Sequence, residues 1–234
     1  MNAAAIAVDH VWKFYGDYPA LRDVTFDVQS GSCIALLGRN GAGKTTLLRT
    51  IAGLSRAAKG QVKVLGEDVR NETTRRKVGV LGHAIGIYDE LSAMENLRLF
   101  ARLYGVTSVD SAAMKWLERV GLERVANGLV REFSRGMRQR LAVARAFLHD
   151  PEILLLDEPF TALDDRAIAV LQNVLRSALE EGRTVVMSTH QLREALELAT
   201  QVVLINRGRV AFHGDRTREM LEDPGWLYRN YGEA

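Results

Sequence analysis

The sequence predicts an α/β fold with a parallel sheet and an inserted helical segment at roughly 84–150. Three observations carry the prediction. The runs "CIALLG" and "EILLLD" are continuously apolar, as strands buried on both faces are. Strand-like and helix-like stretches alternate along most of the 234 residues. Between 93 and 149 the pattern is helical throughout, with no strand signal.

Taken in order, "AIAVDHV" and "VTFDV" read as strands by alternation, and "CIALLG" as a buried one. A helix follows from Lys44 to Ala52. "QVKVLG" and "KVGVLG" are further short strands. In "AMENLRLFARLYG", Met94, Leu97, Phe100, Ala101 and Tyr104 share one helical face, and "AAMKWLERVG" and "GMRQRLAVARAFLH" repeat the amphipathic spacing. After "EILLLD" comes a helix over about 165–181. "TVVMSTH" is another buried strand, and "VVLINRGRVAFHG" a hairpin turning at Arg207 and Gly208. The aromatic stretch "DPGWLYRNYGEA" carries no functional motif.

Composition narrows the function classes. With 31 basic and 29 acidic residues, the net charge of +2 offers no general attraction to nucleic acid or anionic lipid. The single cysteine, Cys33, excludes an intrachain disulfide and suits a reducing compartment. No uncharged apolar run approaches the length of a membrane span. The first residues lack a basic stretch followed by a long apolar one, so no signal peptide is expected. The expectation is a cytoplasmic protein that meets a membrane only through a partner.

The stretch "GRNGAGKTT" matches the phosphate-loop pattern G-x-x-x-x-G-K-[ST], between a strand and a helix as that motif requires. Gly38, Gly41 and Gly43, with Asn40 and Ala42, let backbone N–H groups turn inward around a polyphosphate. The helix start at Lys44, Thr45 and Thr46 adds partial positive charge. Lys44 is a point charge for the β- and γ-phosphates, and Thr45 a hydroxyl for Mg²⁺. In "ILLLDEP", Asp157 ends an apolar strand where a carboxylate meets the magnesium's water shell. Glu158, one residue on, is placed to orient or deprotonate an attacking water. His190 ends the strand of "MSTHQ", where strand ends of such sheets converge on ligand, and is expected to hydrogen-bond the γ-phosphate.

"FSRGMRQRLAVARAFL" opens a second helix whose N-terminus suits an anion, at Ser134 and Gly136. With this stretch the sequence resembles the ATP-binding subunits of ABC transporters. Phosphate loop, signature, "ILLLDE", "TALD" and "STH" occur in the family's order over essentially the whole chain. The resemblance implies a single domain: a P-loop NTPase core (1–83 and 151–234), an N-terminal antiparallel β subdomain within it, and a helical subdomain (84–150) bearing the signature. It implies ATP and Mg²⁺ as ligands, a separate transmembrane permease, and location on the inner face of the cell membrane. It also implies head-to-tail pairing with a second copy, with Ser134 and Gly136 contacting the γ-phosphate in trans and Asp164 crossing the interface. Tyr15 is expected to stack on adenine, a core aromatic being the alternative. The signature departs from the common Leu-Ser-Gly-Gly-Gln at Phe133, Arg135 and Met137.

His83 stands where most members of that family carry a glutamine that reaches magnesium and the attacking water. A neutral imidazole can accept from a magnesium-bound water or donate to phosphate, so His83 is expected to take over that loop's sensing role. Tyr88, Leu91, Leu97 and Phe100 are candidates for permease contact, although Leu97 and Phe100 also fit the segment's own core. "GH" at this place, "DEPFTALD" and "STHQ" resemble the haem exporters of cytochrome c maturation. Drug- or antibiotic-type exporter ATPases and iron–sulfur assembly factors are the alternatives.

Overall fold

The computed structural model describes residues 4–82 and 86–232. Strands β1 (Ala4–Tyr15) and β2 (Tyr18–Gln29) pair antiparallel, with Tyr15 opposite Tyr18 across a tight turn. Ile6, Val8 and Val11 of β1 are buried. Both strands are longer than their sequence patterns, because register shifts from Val8 onward break the alternation that marks a strand. Strand β3 (Cys33–Leu37) and helix α1 (Lys44–Ile51) follow. The chain then returns to the first sheet as β4 (Lys59–Val64), beside β1, and β5 (Glu67–Asp68). The four-stranded antiparallel sheet, ordered β2-β1-β4-β5, is therefore assembled from both sides of β3 and α1.

After the short helix α2 (Glu72–Arg75) comes β6 (Val78–Leu81). Helices α3 (Ala93–Tyr104), α4 (Val109–Arg119) and α5 (Arg135–Phe147) fill the stretch before the next strand. A capping box starts α3: Ser92 accepts from the Glu95 N–H while Glu95 accepts from the Ser92 N–H. The chain continues through β7 (Ile153–Asp157), α6 (Asp165–Glu180), β8 (Thr184–Ser188) and α7 (Leu192–Leu198). It closes with the hairpin β9 (Gln201–Asn206) and β10 (Arg209–Asp215), then α8 (Arg218–Glu222) and α9 (Trp226–Tyr231).

The larger sheet has the order β10-β9-β3-β8-β7-β6 and is parallel except for β10. The inner strands β3, β7 and β8 bury both faces, as their apolar runs require, whereas the edge strand β10 is partly exposed along its length. Cys33, Ala35 and Leu37, with Leu154, Leu156, Val185 and Met187, join one apolar cluster with helices α3 to α7. Ile34, Leu36, Ile153, Leu155 and Val186 point the other way, into a cluster with α1 and the antiparallel sheet. Met94, Leu97 and Ala101 of α3 are buried in the first cluster, and Phe100 packs against it. Tyr104 keeps to that face, its ring stacked 6.4 Å from Phe100 and 4.1 Å from His149, but it stays partly exposed. Among the described residues no helix is long and apolar enough to cross a membrane.

Candidate active site

The register of the parallel strands assembles the site. Leu36 of β3 lies opposite Ser188 of β8, and Ser188 opposite Asp157 of β7. The residues that follow, Gly38 onward, His190 and Glu158, therefore leave the sheet side by side at its C-terminal edge. Open α/β sheets bind ligand at that edge.

The phosphate loop needs its glycines for close approach. Gly38 has φ 151°, and a Cβ there would meet the Ile205 carbonyl oxygen at 2.4 Å. Gly43 has φ 112°, and a Cβ there would meet the Ala20 carbonyl oxygen at 2.7 Å. The β9–β10 turn props the loop from behind, with the Gly208 N–H donating to the Ala42 carbonyl at 2.9 Å. Lys44 folds back on the loop, its Nζ donating to the Gly38 carbonyl at 2.7 Å and to Arg39 at 3.3 Å. Burial lowers its pKa, and Glu158 and Asp157 partly offset that.

Residues 40–46 line a cavity of about 310 Å³ with Tyr15, Tyr18 and Glu158. Tyr15 is 52% exposed at its mouth, so it is not a core aromatic. Tyr18 shares the wall and was not singled out by the sequence. A second cavity of about 580 Å³ adjoins the first and is lined by Gly38, Arg39, Asn40, Glu158, Thr161, His190 and Tyr228. Within it His190 Nδ1 is 2.8 Å from Glu158 Oε2. Asp157 is buried, and its Oδ1 accepts from the Ser188 hydroxyl. Thr45 and Asp157 line a third cavity of about 250 Å³, which Gly82 also borders. His83 lies outside the described residues.

The signature stretch stands apart. Ser134 and Gly136 line neither cavity at the phosphate loop. Ser134 is exposed and caps α5, its Oγ accepting from the Met137 N–H at 3.2 Å. A Cβ on Gly136 would lie 3.3 Å from the Ala162 carbonyl oxygen. Of the departures from the common signature, Phe133 is buried, Met137 packs on the core and Arg135 is exposed. Asp164 caps α6, accepting from the Ala167 N–H at 2.8 Å. Gln139, which carried no expectation, links α5 to the segment after β7 by donating to the Pro159 carbonyl at 3.1 Å.

The family model described as ABC transporter matches residues 21–161, well over half of the chain. The chain belongs to the ABC transporter family. It binds ATP and is an ATPase. An AAA domain model also matches residues 129–197 and overlaps the first. The Nod factor export ATP-binding protein I of Cupriavidus metallidurans is 40% identical over 223 residues, covering 94% of this chain and 73% of that one. The ABC transporter ATP-binding protein NatA of Bacillus subtilis is 38% identical, covering 83% and 81%. A daunorubicin resistance ATP-binding protein of Streptomyces coeruleorubidus is 39% identical, covering 96% and 72%. Among solved structures, an ATP-binding subunit of an ABC transporter superposes with TM-score 0.84 at 31% identity, covering 97% of this chain and 93% of that one. A dimeric ATP-binding cassette in a post-hydrolysis state, bound to ADP and Pi, also reaches 0.84, at 26% identity and covering 91% and 99%.

Proposed function

We propose that this chain is the ATP-hydrolysing motor of a membrane exporter, acting through a separate permease and pairing with a second copy of itself when ATP is bound. The observation that carries the proposal is the approach of Glu158 and His190, 2.8 Å apart, beside the phosphate loop. The relatives' names support export: Nod factor in one case and daunorubicin resistance in another. None of the relatives reported above is named for haem, so the resemblance to haem exporters is left without support, and an efflux-type exporter is the better reading. The protein would work in the cytoplasm, held at the inner face of the membrane by its permease.

In the proposed cycle the amides of residues 40–46 hold the phosphates, and Tyr15 packs on the adenine. Lys44 exchanges the loop carbonyls for the β- and γ-phosphates, an ammonium preferring a full negative charge to a carbonyl dipole. Magnesium fits the oxygen donors present, since the Thr45 hydroxyl and the Asp157 carboxylate border one cavity. When bound, Mg²⁺ would neutralise phosphate charge. Glu158 then takes a proton from the attacking water. As a carboxylate Glu158 only accepts, so its bond to His190 requires the proton on Nδ1. That leaves Nε2 to accept from water or, in the imidazolium, to donate to phosphate. His83 is proposed for sensing beside Mg²⁺, by its place in the motif order.

The helical segment 84–150 is proposed as the subdomain that carries the signature to the partner's nucleotide. The Ser134 hydroxyl accepts from Met137 and keeps its own proton to donate across an interface. Asp164 is proposed to meet the facing copy, and exposed Tyr88 to meet the permease. The dimeric relative with ADP and Pi supports this arrangement. The test is a tagged pull-down from native membranes. A multi-span permease among the captured proteins is expected. Haem-handling proteins would reinstate the haem reading, and a soluble partner alone would overturn the transport assignment.

A further inference from the structure

We infer that Tyr228, in the last helix, is a positioning residue of the phosphate loop: its hydroxyl holds the Gly38 peptide in place so that the loop can accept phosphate. The inference rests on the nucleotide site proposed above and adds to it a residue that none of its motifs contains.

The Gly38 N–H donates to the Tyr228 hydroxyl at 3.0 Å. The same glycine's carbonyl accepts from Lys44 Nζ at 2.7 Å. Gly38 is thus gripped on both sides, between a neutral phenol and a cation that is destined for the nucleotide. When phosphate draws the ammonium away, the carbonyl loses its partner and the N–H keeps its own. The backbone has little room to compensate, since a Cβ at Gly38 would already overlap the Ile205 carbonyl. A fixed Gly38 leaves residues 40–46 correctly aimed, and pre-set donors bind without first being ordered.

Tyr228 is itself held firmly. Leu227 beside it is fully buried, and Tyr231 packs its ring 4.9 Å from Phe212 of β10 and 5.9 Å from Trp226. Asn206, at the end of β9, donates to the Gly232 carbonyl at 3.1 Å. The helix carrying Tyr228 is therefore pinned to the strands that flank the phosphate loop. The phenol lies in the wall of the 580 Å³ cavity that Glu158 and His190 also line.

The decisive experiment compares Tyr228→Phe with Tyr231→Phe. Both keep the ring, and only the first removes the hydroxyl on Gly38. Binding of ADP and of a non-hydrolysed ATP analogue is measured by calorimetry, turnover by phosphate release, and exchange of the Gly38 amide by NMR. For Tyr228→Phe we expect nucleotide binding weaker by roughly 3- to 10-fold, the factor for one lost hydrogen bond. Gly38 amide exchange should quicken, and kcat at saturating ATP should stay within about 2-fold of normal. Tyr231→Phe should change none of these. A folded Tyr228→Phe with unaltered affinity and unaltered Gly38 exchange overturns the inference. An equal loss in Tyr231→Phe also overturns it, because the effect would then come from the helix as a whole. Failure of the unsubstituted protein to bind either nucleotide would instead sink the nucleotide site itself.

Discussion

His190 contacts Glu158 twice: Nδ1 is 2.8 Å from Oε2, and the His190 backbone N–H reaches the same oxygen at 3.3 Å. The carboxylate is thereby oriented from β8 while its own backbone leaves β7 in the left-handed region, at φ 54°. A non-glycine residue there is uncommon and marks a constrained position. Glu158→Gln keeps the shape and an accepting oxygen but cannot take a proton. Hydrolysis should slow by roughly 10²- to 10⁴-fold, the range for loss of a general base. ATP binding should survive, so gel filtration in Mg-ATP should show a trapped dimer. Near-normal phosphate release from this variant would remove Glu158 from the chemistry.

Lys44 makes a different test. Its ammonium rests on two loop carbonyls, with a pKa lowered chiefly by burial. Lys44→Ala should reduce ATP affinity by at least about 10-fold, since a charge-assisted contact contributes about 1.5–3 kcal/mol. Fold stability should fall as well, by about 1–3 kcal/mol, because the Gly38 carbonyl that loses its donor is buried. Calorimetric titration with ATP beside a urea melt separates the two, and unchanged affinity would contradict the role.

Much of this site is legible along the chain because its parts are contiguous. "GRNGAGKTT" packs its glycines, cation and hydroxyls into nine positions, although Gly38 and Gly43 also answer to the distant Ile205 and Ala20 carbonyls. Asp157, Glu158 and His190 are legible because each ends an apolar run, and the parallel register brings those ends level. The missed residues act over distance. Tyr228 meets Gly38 across 190 residues, from a helix too short to announce a face. Gly208 supports Ala42 through backbone atoms alone, which leave no mark in residue type. Strand β5 and helix α2 are too short for any periodicity to register.

Gln139 ties α5 to the segment that follows β7. Its amide is buried and donates to the Pro159 carbonyl at 3.1 Å and to the Glu158 carbonyl at 3.4 Å. Gln139→Ala leaves both carbonyls without this donor and should destabilise the fold by about 1–3 kcal/mol. Gln139→Glu should be worse, because a carboxylate would face two carbonyl oxygens with nothing to donate. Urea melts of the two variants check the order, and equal stability of all three proteins would show the bridge to be idle.

His149 makes stability depend on pH. Its ring lies against Tyr104, and Nε2 is 3.3 Å from the Val78 carbonyl. That bond puts the neutral ring's proton on Nε2, and Nδ1 has no partner among the described residues. Protonation would add a second N–H with nothing to receive it, and burial lowers the pKa below 6.5; Val78 and Asp150 work against that shift and Arg145 with it. His213 is lowered too, again mainly by burial, with Asp27 and Asp215 opposing. For both, the unfolded chain binds more protons just below its own pKa of 6.5. Stability is therefore greatest above that value and falls as pH drops through it towards the folded pKa. His10 has the opposite sign, raised by Asp23, but its exposed side chain is screened by water. The urea midpoint should fall when the pH is taken from about 8 to about 6, within which the unfolded imidazoles begin to charge. His149→Gln retains an N–H for the Val78 carbonyl and does not titrate, so its midpoint should depend less on pH. His213 keeps the dependence from vanishing. An identical pH slope in wild type and His149→Gln would assign the effect to other groups.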